Sequence, residues 1–315
     1  MKLQTQVPIH PEKCNIDYNS KLLLMGSCFV DNIGEKLKYF KFQSEVNPFG
    51  VLFNPFAILR LFERAANKEV FTESDVFFHN EQWHCFEAHS KLSHSDKGIV
   101  VSGLNEALSI LSKQLLEATH VVITLGTAWV YRKKSSQSVV ANCHKVPQTQ
   151  FTKELMSVEN VAQITRDAVN LIQNLNPNVK VIYTVSPVRH IKDGMVENNR
   201  SKAHLISGIH STLEHVENTF YFPSYEILMD ELRDYRFYAE DMIHPNITAI
   251  NYIWERFEKV WLDPTLEGTM KMVDTVQKGL KHKPFNPISE AHQRFLITLK
   301  YKQQQLQEKY PFMSF

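Results

Sequence analysis

The sequence predicts an α/β fold with a mostly parallel sheet that is covered on both faces. Apolar runs of strand length recur along the chain, at residues 22–25, 120–125, 179–185 and 220–222. Helical patterns of apolar residues separate these runs. Strands that alternate with helices in this way form βαβ units, in which helices bury both faces of a parallel sheet.

The first strand ends in a tight turn with the sequence Gly26-Ser27-Cys28-Phe29-Val30. A helical pattern begins at once, with apolar residues at Phe29, Ile33, Leu37 and Phe40. Ser27 therefore stands at the carboxyl end of a strand and the amino end of a helix, where α/β sheets present residues to ligands. Gly26 leaves room for a close approach to the backbone. A serine in this place is either a helix cap or a nucleophile.

Later segments continue the alternation and interrupt it twice. Apolar residues share one helix face within residues 104–115, 158–175 and 247–261. Two strand-like runs within residues 70–100 flank Asn80-Glu81-Gln82, which indicates an inserted hairpin. Residues 131–147 carry a polar tip, and their length makes them a candidate functional loop.

The elements suggest one main domain with an extension. We expect residues 1–262 to form the α/β domain and residues 263–315 to form a C-terminal helical extension packed on it. Within the extension, residues 288–310 carry a helical pattern. An alternative is that this helix joins two copies of the chain in a homo-oligomer.

Composition excludes several classes of protein. The 315 residues are 43% hydrophobic, which is enough for a sizeable core. Lys and Arg number 35 against 34 Asp and Glu, so the net charge of +1 does not favour nucleic acid or an anionic membrane as a partner. We find neither a signal-peptide pattern nor the roughly 18 apolar residues of a membrane span. We therefore expect a cytoplasmic protein with free thiols at the widely spaced Cys14, Cys28, Cys85 and Cys143.

A second chemical signal precedes the helix at residues 247–261. Asp241 and His244 are three residues apart in a predicted loop, and Pro245 stiffens the chain after them. A serine nucleophile needs a base such as histidine, and that base needs an acceptor on its second ring nitrogen. Asp241 is close enough along the chain to be that acceptor. Read alone, the spacing fits equally well an aspartate that caps the helix and a solvated histidine.

A set of motifs occurs in order along the chain: Gly26-Ser27-Cys28-Phe29, Asn47-Pro48-Phe49-Gly50, Trp83 with His89-Ser90, Thr124-Leu125-Gly126-Thr127, Ser186-Pro187-Val188-Arg189-His190, Tyr221-Phe222-Pro223-Ser224-Tyr225-Glu226 and Asp241-x-x-His244-Pro245. This ordered set resembles the GSCFA family, which belongs with the SGNH, or GDSL-like, hydrolases. The fifth residue of the first motif is usually Ala in that family and is Val30 here. The resemblance covers residues 20–262 and implies a three-layer α/β/α, flavodoxin-like fold.

The resemblance also implies an activity and a set of catalytic residues. Ser27 would be the nucleophile, His244 the base and Asp241 its partner. The expected function is that of a serine esterase or O-acyltransferase, without a cofactor, acting on an acylated carbohydrate or small molecule. A non-catalytic binding protein that uses the same crevice is the alternative.

The oxyanion hole is where the chain departs from the family pattern. The resemblance assigns two donors to the N–H groups of Ser27 and Gly50. The third is an Asn side chain in a G-x-N-D block, but Ala128 stands in its place here. Thr127, Asn142 and His144 are the candidate substitutes, since loss of one donor typically costs about 10²–10³ in rate.

Several further residues are candidates for substrate binding. Arg189 and His190 follow the third strand, and His89 and His144 lie in the interruptions between strands. Arg189 suits a carboxylate or phosphate of the substrate, or else an ion pair with Glu226 or Asp230.

Two rival kinds of site are less favoured. Cys28 is a candidate thiolate nucleophile, because it also lies near a helix amino terminus, but a small buried residue is the preferred interpretation. No metal site is predicted, since the cluster that could suggest one lacks zinc-finger spacing. That cluster comprises His79, His84, Cys85, His89 and His94.

Overall fold

The computed structural model describes residues 4–315 and centres on a parallel sheet. Its strands are β1 (Lys21–Gly26), β2 (Gln43–Val46), β3 (Val76–His79), β4 (Gln82–Cys85), β5 (His120–Leu125), β6 (Trp129–Lys133), β7 (Val139–Val140), β8 (Phe151–Leu155), β9 (Lys180–Val185) and β10 (Thr219–Tyr221). Five of them pair in parallel in the order β10–β9–β5–β1–β2. Every residue of the central strand β5 is buried, as expected for a strand covered on both faces.

Helices cover both faces of this sheet. They are α1 (Cys28–Tyr39), α2 (Pro55–Ala66), α3 (Lys97–Glu117), α4 (Val158–Leu175), α5 (Met195–Leu213), α6 (Ser224–Glu226), α7 (Ile247–Trp261), α8 (Glu267–Lys281) and α9 (Glu290–Lys309). A π-helical turn, Ile227–Leu232, continues from α6. Leu23 and Met25 of β1 join the core formed with α2 to α5, whereas Leu22 and Leu24 join the core formed with α1 and α7 to α9. This alternation along one strand gives the predicted three-layer α/β/α fold, which is confirmed.

The inserted hairpin predicted within residues 70–100 is present as β3 and β4. The strands pair antiparallel, with Val76 opposite Cys85 and His79 opposite Gln82. Asn80 and Glu81 alone form the turn, and both have positive φ, 47° and 62°. Two-residue hairpin turns of this kind match the twist of the strands, so Gln82 belongs to the second strand and not to the connection.

The segment at residues 131–147 differs from the expected long loop. Residues 131–133 belong to β6 and residues 139–140 form β7; the two strands pair antiparallel and, together with β8, make a three-stranded sheet in the order β7–β6–β8. Val140, Val146 and Phe151 form a small core of their own beneath it. The pattern within the segment does not predict these strands, because β7 is only two residues long and too short to show an alternation of its own.

The C-terminal extension is helical, as predicted, and begins earlier than its pattern indicated. Besides the expected α9, it contains α8, whose Met270, Val273 and Val276 are buried at helical spacing. Leu299 and Leu306 of α9 join the same core as α1 and α7. Among residues 4–315, no helix has both the length and the apolar character needed to cross a membrane.

Candidate active site

Ser27 lies between β1 and α1 at the carboxyl edge of the sheet. It occupies the N-cap position with extended backbone, but its side chain does not hydrogen-bond to the first turn of α1. The residue is fully buried, and Oγ has no hydrogen-bond partner among the described residues. An unpaired buried hydroxyl costs about 1–3 kcal/mol, so it calls for an explanation other than helix capping.

Gly26 shapes the turn that carries Ser27. Its φ is +138°, and a Cβ at this position would lie 2.1 Å from the carbonyl oxygen of Thr124 on β5. Its N–H donates to Oδ1 of Asn47 at 2.8 Å, and Nδ2 of Asn47 donates to Asp31 in the first turn of α1 at 2.7 Å. The end of β1, the loop after β2 and the start of α1 are therefore held together around the serine.

Asp241 and His244 form a hydrogen-bonded pair in the loop before α7. Nδ1 of His244 lies 2.6 Å from Oδ2 of Asp241, and the other carboxylate oxygen accepts the N–H groups of Ile243 at 2.9 Å and His244 at 3.0 Å. The backbone N–H of His244, its imidazole and the N–H of Ile243 lower the pKa of Asp241 to about 2. The carboxylate is therefore ionised at neutral pH and fixes the orientation of the ring.

Ser27 is not joined to this pair in the structure. Its Oγ is buried without a partner, whereas the side chains of Asp241 and His244 are 45% and 50% exposed. The structure thus brings together Asp241 and His244, which are three residues apart in sequence, and does not bond Ser27 to them. The catalytic roles of all three stay predictions, because catalytic hydrogen bonds are often long or absent before substrate binds.

Two of the predicted oxyanion donors are occupied by the protein itself. The N–H of Ser27 donates to the carbonyl of Thr124 at 3.0 Å. The N–H of Gly50 donates to the carbonyl of Asn47 at 2.7 Å, within a turn where Gly50 has a φ of +74°. Neither group is free to bind a substrate oxygen in this conformation.

The candidate substitutes for the third donor are occupied as well. The N–H of Thr127 donates to the carbonyl of Phe53 at 3.0 Å, and its hydroxyl pairs with that of Ser201 at 3.0 Å. Asn142 donates from Nδ2 to Oγ of Ser90 at 3.2 Å. A preformed oxyanion hole built from these groups is therefore not present, and their role stays a prediction.

Arg189 contacts the Asp241–His244 loop. Its N–H donates to the carbonyl of Ile243 at 3.2 Å, and its guanidinium donates to the carbonyl of Met242 at 3.4 Å. The guanidinium also lies over the ring of Tyr238, 4.0 Å from its centroid. Within the described residues, Arg189 makes no ion pair with Glu226 or Asp230, so the predicted alternative of an ion pair does not form.

His190 lies close to Gly126, the residue that follows β5. Its ring lies against Phe53, with centroids 5.3 Å apart, and Nε2 would be 3.0 Å from a Cβ on Gly126. Nε2 is buried and has no partner in the part of the chain that is described. Burial, followed by the nearby charge of Lys202, lowers the pKa of His190 to about 3. The imidazole is therefore neutral at physiological pH.

The two remaining histidine candidates differ in accessibility. His89 is half-buried against Gly50, and burial lowers its pKa. His144 is buried, with Nε2 2.7 Å from the carbonyl of Cys85 and Nδ1 3.2 Å from Oγ of Ser90. Both of its ring nitrogens are used within the protein, so His144 is not placed to contact a substrate.

The rival sites receive little support. Burial, and then the charge of Asp31, raises the pKa of Cys28, which works against a reactive thiolate. Among residues 4–315, no three His, Cys, Asp or Glu side chains are grouped so that they could hold a metal ion.

Sequence reasoning missed a buried lysine beside the site. Lys202 of α5 is 1% exposed, and Nζ donates to the carbonyls of Gly126 and Ser186, each at 2.7 Å. Burial lowers its pKa from 10.5 to about 7. The signal that could have found it is the polar spacing Asn198, Ser201 and Lys202 on a helix whose other buried residues include Leu205 and Ile209.

The depressed pKa of Lys202 predicts a pH-dependent stability. Between pH 7 and 10.5 the unfolded chain binds a proton that the folded protein has released, so the free energy of unfolding rises with pH. We expect a rise of about 2 kcal/mol from pH 7 to pH 9 from this group. The rise should be absent from Lys202→Met in urea denaturation at the two pH values, and an equal rise in the variant would contradict the assignment.

Comparison with known proteins finds two matching family models and a solved structure with some similarity. The family model described as GSCFA family matches residues 21–257, and the model described as GSCFA domain protein, C-terminal domain, matches residues 273–315. Comparison with curated protein sequences finds no match. A solved structure, the acetyl xylan esterase Est2A from the rumen bacterium Butyrivibrio proteoclasticus, is similar with a TM-score of 0.42 and 12% identity. The similarity covers 84% of this chain and 66% of the esterase, just under two thirds of it. On the family match, which spans most of its length, the chain belongs to the GSCFA family.

Proposed function

We propose that this protein transfers acyl groups from esters through Ser27, as a serine esterase or O-acyltransferase on an acylated carbohydrate or small molecule. The observation that carries the proposal is the Asp241–His244 pair, with Nδ1 and Oδ2 2.6 Å apart. This contact occupies Nδ1 and leaves Nε2 of the ring to accept a proton from a nucleophile, as a general base requires. Membership of the GSCFA family and the place of Ser27 at the amino end of α1 support the same function.

The proposed reaction has two steps. In the first, Nε2 of His244 takes the proton of the Ser27 hydroxyl while Oγ attacks the acyl carbonyl. The ester C–O bond then breaks, and the leaving alcohol takes the proton from His244, which leaves an acyl group on Ser27. In the second step, Nε2 of His244 takes a proton from water or another alcohol, whose oxygen attacks the acyl carbonyl; the bond to Oγ breaks and Oγ takes the proton back, so that the protein acts as an esterase or as a transferase.

The proposal requires one segment to move. Residues 50–54 cross the carboxyl ends of β1 and β5: the N–H of Leu52 donates to the carbonyl of Gly26 at 2.8 Å. The carbonyl of Phe53 accepts the N–H groups of Gly126 at 2.7 Å and Thr127 at 3.0 Å. Displacement of this carbonyl by the substrate would free two consecutive N–H groups for an oxyanion.

A cavity beside the Asp241–His244 loop offers room for part of a substrate. Its volume is about 410 Å³. Arg189, Tyr225, Tyr235 and Tyr238 contribute to its lining. Aromatic faces next to a guanidinium suit the mixed apolar and polar surface of a sugar or a small acylated compound.

The second candidate function is non-catalytic binding in the same crevice. The specific observation in its favour is that the N–H groups of Ser27, Gly50 and Thr127 all donate within the protein. A binding protein needs no oxyanion hole, so this arrangement would carry no cost for it.

Covalent labelling tests the proposed function. We expect a fluorophosphonate probe to modify Ser27, because it forms a stable adduct with an activated serine hydroxyl. Mass spectrometry of the digested protein should place the adduct on the peptide that contains Ser27. The Ser27→Ala variant should remain unlabelled, and Ser20→Ala, which alters a buried serine at the opposite end of β1, should label like the wild type.

Two outcomes would count against catalysis. One is equal labelling of the wild type and Ser27→Ala. The other is no labelling and no turnover of acetyl, longer acyl or thioester substrates, with and without sugar acceptors. If the wild type and Ser27→Ala are both unlabelled and inactive but both bind an acylated sugar, non-catalytic binding is favoured.

A further inference from the structure

We infer that Asn198, Ser201 and Lys202 of α5 are positioning residues that hold the two chain segments following β5 and β9, a role that rests on the proposed function. The segments are residues 126–129, after β5, and residues 186–191, after β9. The three side chains are 2%, 2% and 1% exposed. Their spacing along α5 places them on one face of the helix, here called the polar face of α5.

Ser201 holds the first segment. Its Oγ accepts the N–H of Ala128 at 2.7 Å and pairs with the hydroxyl of Thr127 at 3.0 Å. The Thr127 hydroxyl in turn accepts the N–H of Trp129 at 3.0 Å. The segment that replaces the G-x-N-D block of the family pattern is thus bonded to α5.

Asn198 holds the second segment. Its Oδ1 accepts the N–H of His190 at 2.8 Å. The preceding residue, Arg189, donates its N–H to the carbonyl of Ile243 at 3.2 Å. A continuous path of hydrogen-bonded chain therefore links α5 to the loop that carries Asp241 and His244.

Lys202 joins the two segments. Nζ donates to the carbonyl of Gly126 in one and to the carbonyl of Ser186 in the other, both at 2.7 Å. The titratable groups that face it are Cys28 on α1, His190 after β9 and Tyr225, whose ring centroid is 5.8 Å from Nζ. Loss of Nζ would release both segments together.

The cost of this arrangement argues against a purely structural role. A buried lysine and buried amide and hydroxyl groups are stabilising only when fully paired. Apolar residues of similar size on α5 would pack against the sheet without that cost, as Leu205 and Ile209 do. Polar groups in these places hold backbone at defined positions, which a reacting site requires to within about 0.5 Å.

The three contacts predict a pattern that separates the segments. In hydrogen–deuterium exchange with peptide resolution, Ser201→Ala should speed exchange in residues 126–129 and leave residues 186–191 unchanged. Asn198→Ala should do the reverse, and Lys202→Met should speed exchange in both. Arg200→Ala is the matched control, because Arg200 lies on the same helix with a side chain that is 59% exposed, and it should behave like the wild type.

Kinetics supply the second readout. Each of the three variants should lower kcat for an activated ester by about 10-fold or more with a smaller change in KM, since a small displacement of reacting groups can cost about 10²-fold. Ser201→Thr keeps a hydroxyl acceptor and should recover most of the loss.

The outcomes distinguish this inference from the proposed function. If turnover depends on Ser27 and the exchange of all variants equals that of the wild type, the positioning role is wrong and the proposed function stands. If Ser27→Ala keeps full turnover while the segment-specific exchange appears, the proposed function is wrong and the positioning role stands. Should Lys202→Met fail to fold, the opposite patterns of Ser201→Ala and Asn198→Ala decide the question.

Discussion

Replacement of Ser27 or His244 by alanine is expected to lower kcat for an activated acyl ester by about 10⁴–10⁶. Without Ser27 no acyl intermediate forms, and without His244 no group takes the hydroxyl proton. The two residues act as a unit, so the double variant should be no slower than the slower single variant. Initial rates with p-nitrophenyl acetate, measured at enzyme concentrations high enough to detect the residual rate, test this expectation.

The partner of His244 gives a graded control. Asp241→Asn keeps an oxygen for the N–H groups of Ile243 and His244 but can present an amide to Nδ1. The ring would then favour the tautomer that cannot accept the serine proton, with an expected loss of about 10⁴ in kcat. Circular dichroism should show unchanged folding. A variant of Ser27 with full activity would rule out the serine mechanism, whatever the effect at Asp241.

Replacement of Gly26 by alanine is expected to destabilise the fold by about 3 kcal/mol or more, because it combines backbone strain with overpacking. The new Cβ would lie 2.1 Å from the carbonyl oxygen of Thr124, which is backbone of the central strand β5. The φ of +138° is also one that alanine rarely adopts. Urea denaturation at pH 7 measures the change in the free energy of unfolding.

A second glycine provides the matched control for this substitution. Gly103 lies inside α3, and a Cβ there would meet no atom within 4 Å. Gly103→Ala should therefore leave stability unchanged or raise it by up to about 1 kcal/mol, the helix propensity difference. A Gly26→Ala variant as stable as the wild type would contradict the close approach of Gly26 to the backbone of β5, and with it the burial of Ser27.

Elements with strong local patterns could be predicted from sequence. The runs at residues 120–125 and 158–175 coincide with β5 and α4. A mostly apolar strand and an amphipathic helix can both be recognised from the pattern of a few consecutive residues. β6 and β7 were missed, since an antiparallel pair is stabilised by cross-strand partners and not by its own periodicity.

The candidate site likewise contains some contacts that are local in sequence and some that join distant residues. Asp241 and His244 are three residues apart, so their contact is a local event, and the position of Ser27 between strand and helix follows from the pattern around it. The partners of Lys202 are 76 and 16 residues away, and the Ser201 hydroxyl meets Thr127 across 74 residues. Contacts over such separations cannot be recognised from the pattern of neighbouring residues.

The sequence by itself determined the α/β/α class, the family motifs and the residues to suspect of acyl transfer. Only the tertiary structure decided that Ser27 is buried without a partner among the described residues, that the expected N–H donors are occupied and that α5 brings a polar face to the segments after β5 and β9. The physical reason is that periodicity and short-range hydrogen bonds are encoded in adjacent residues. Burial and the pairing of distant polar groups, by contrast, depend on which elements the whole chain packs together.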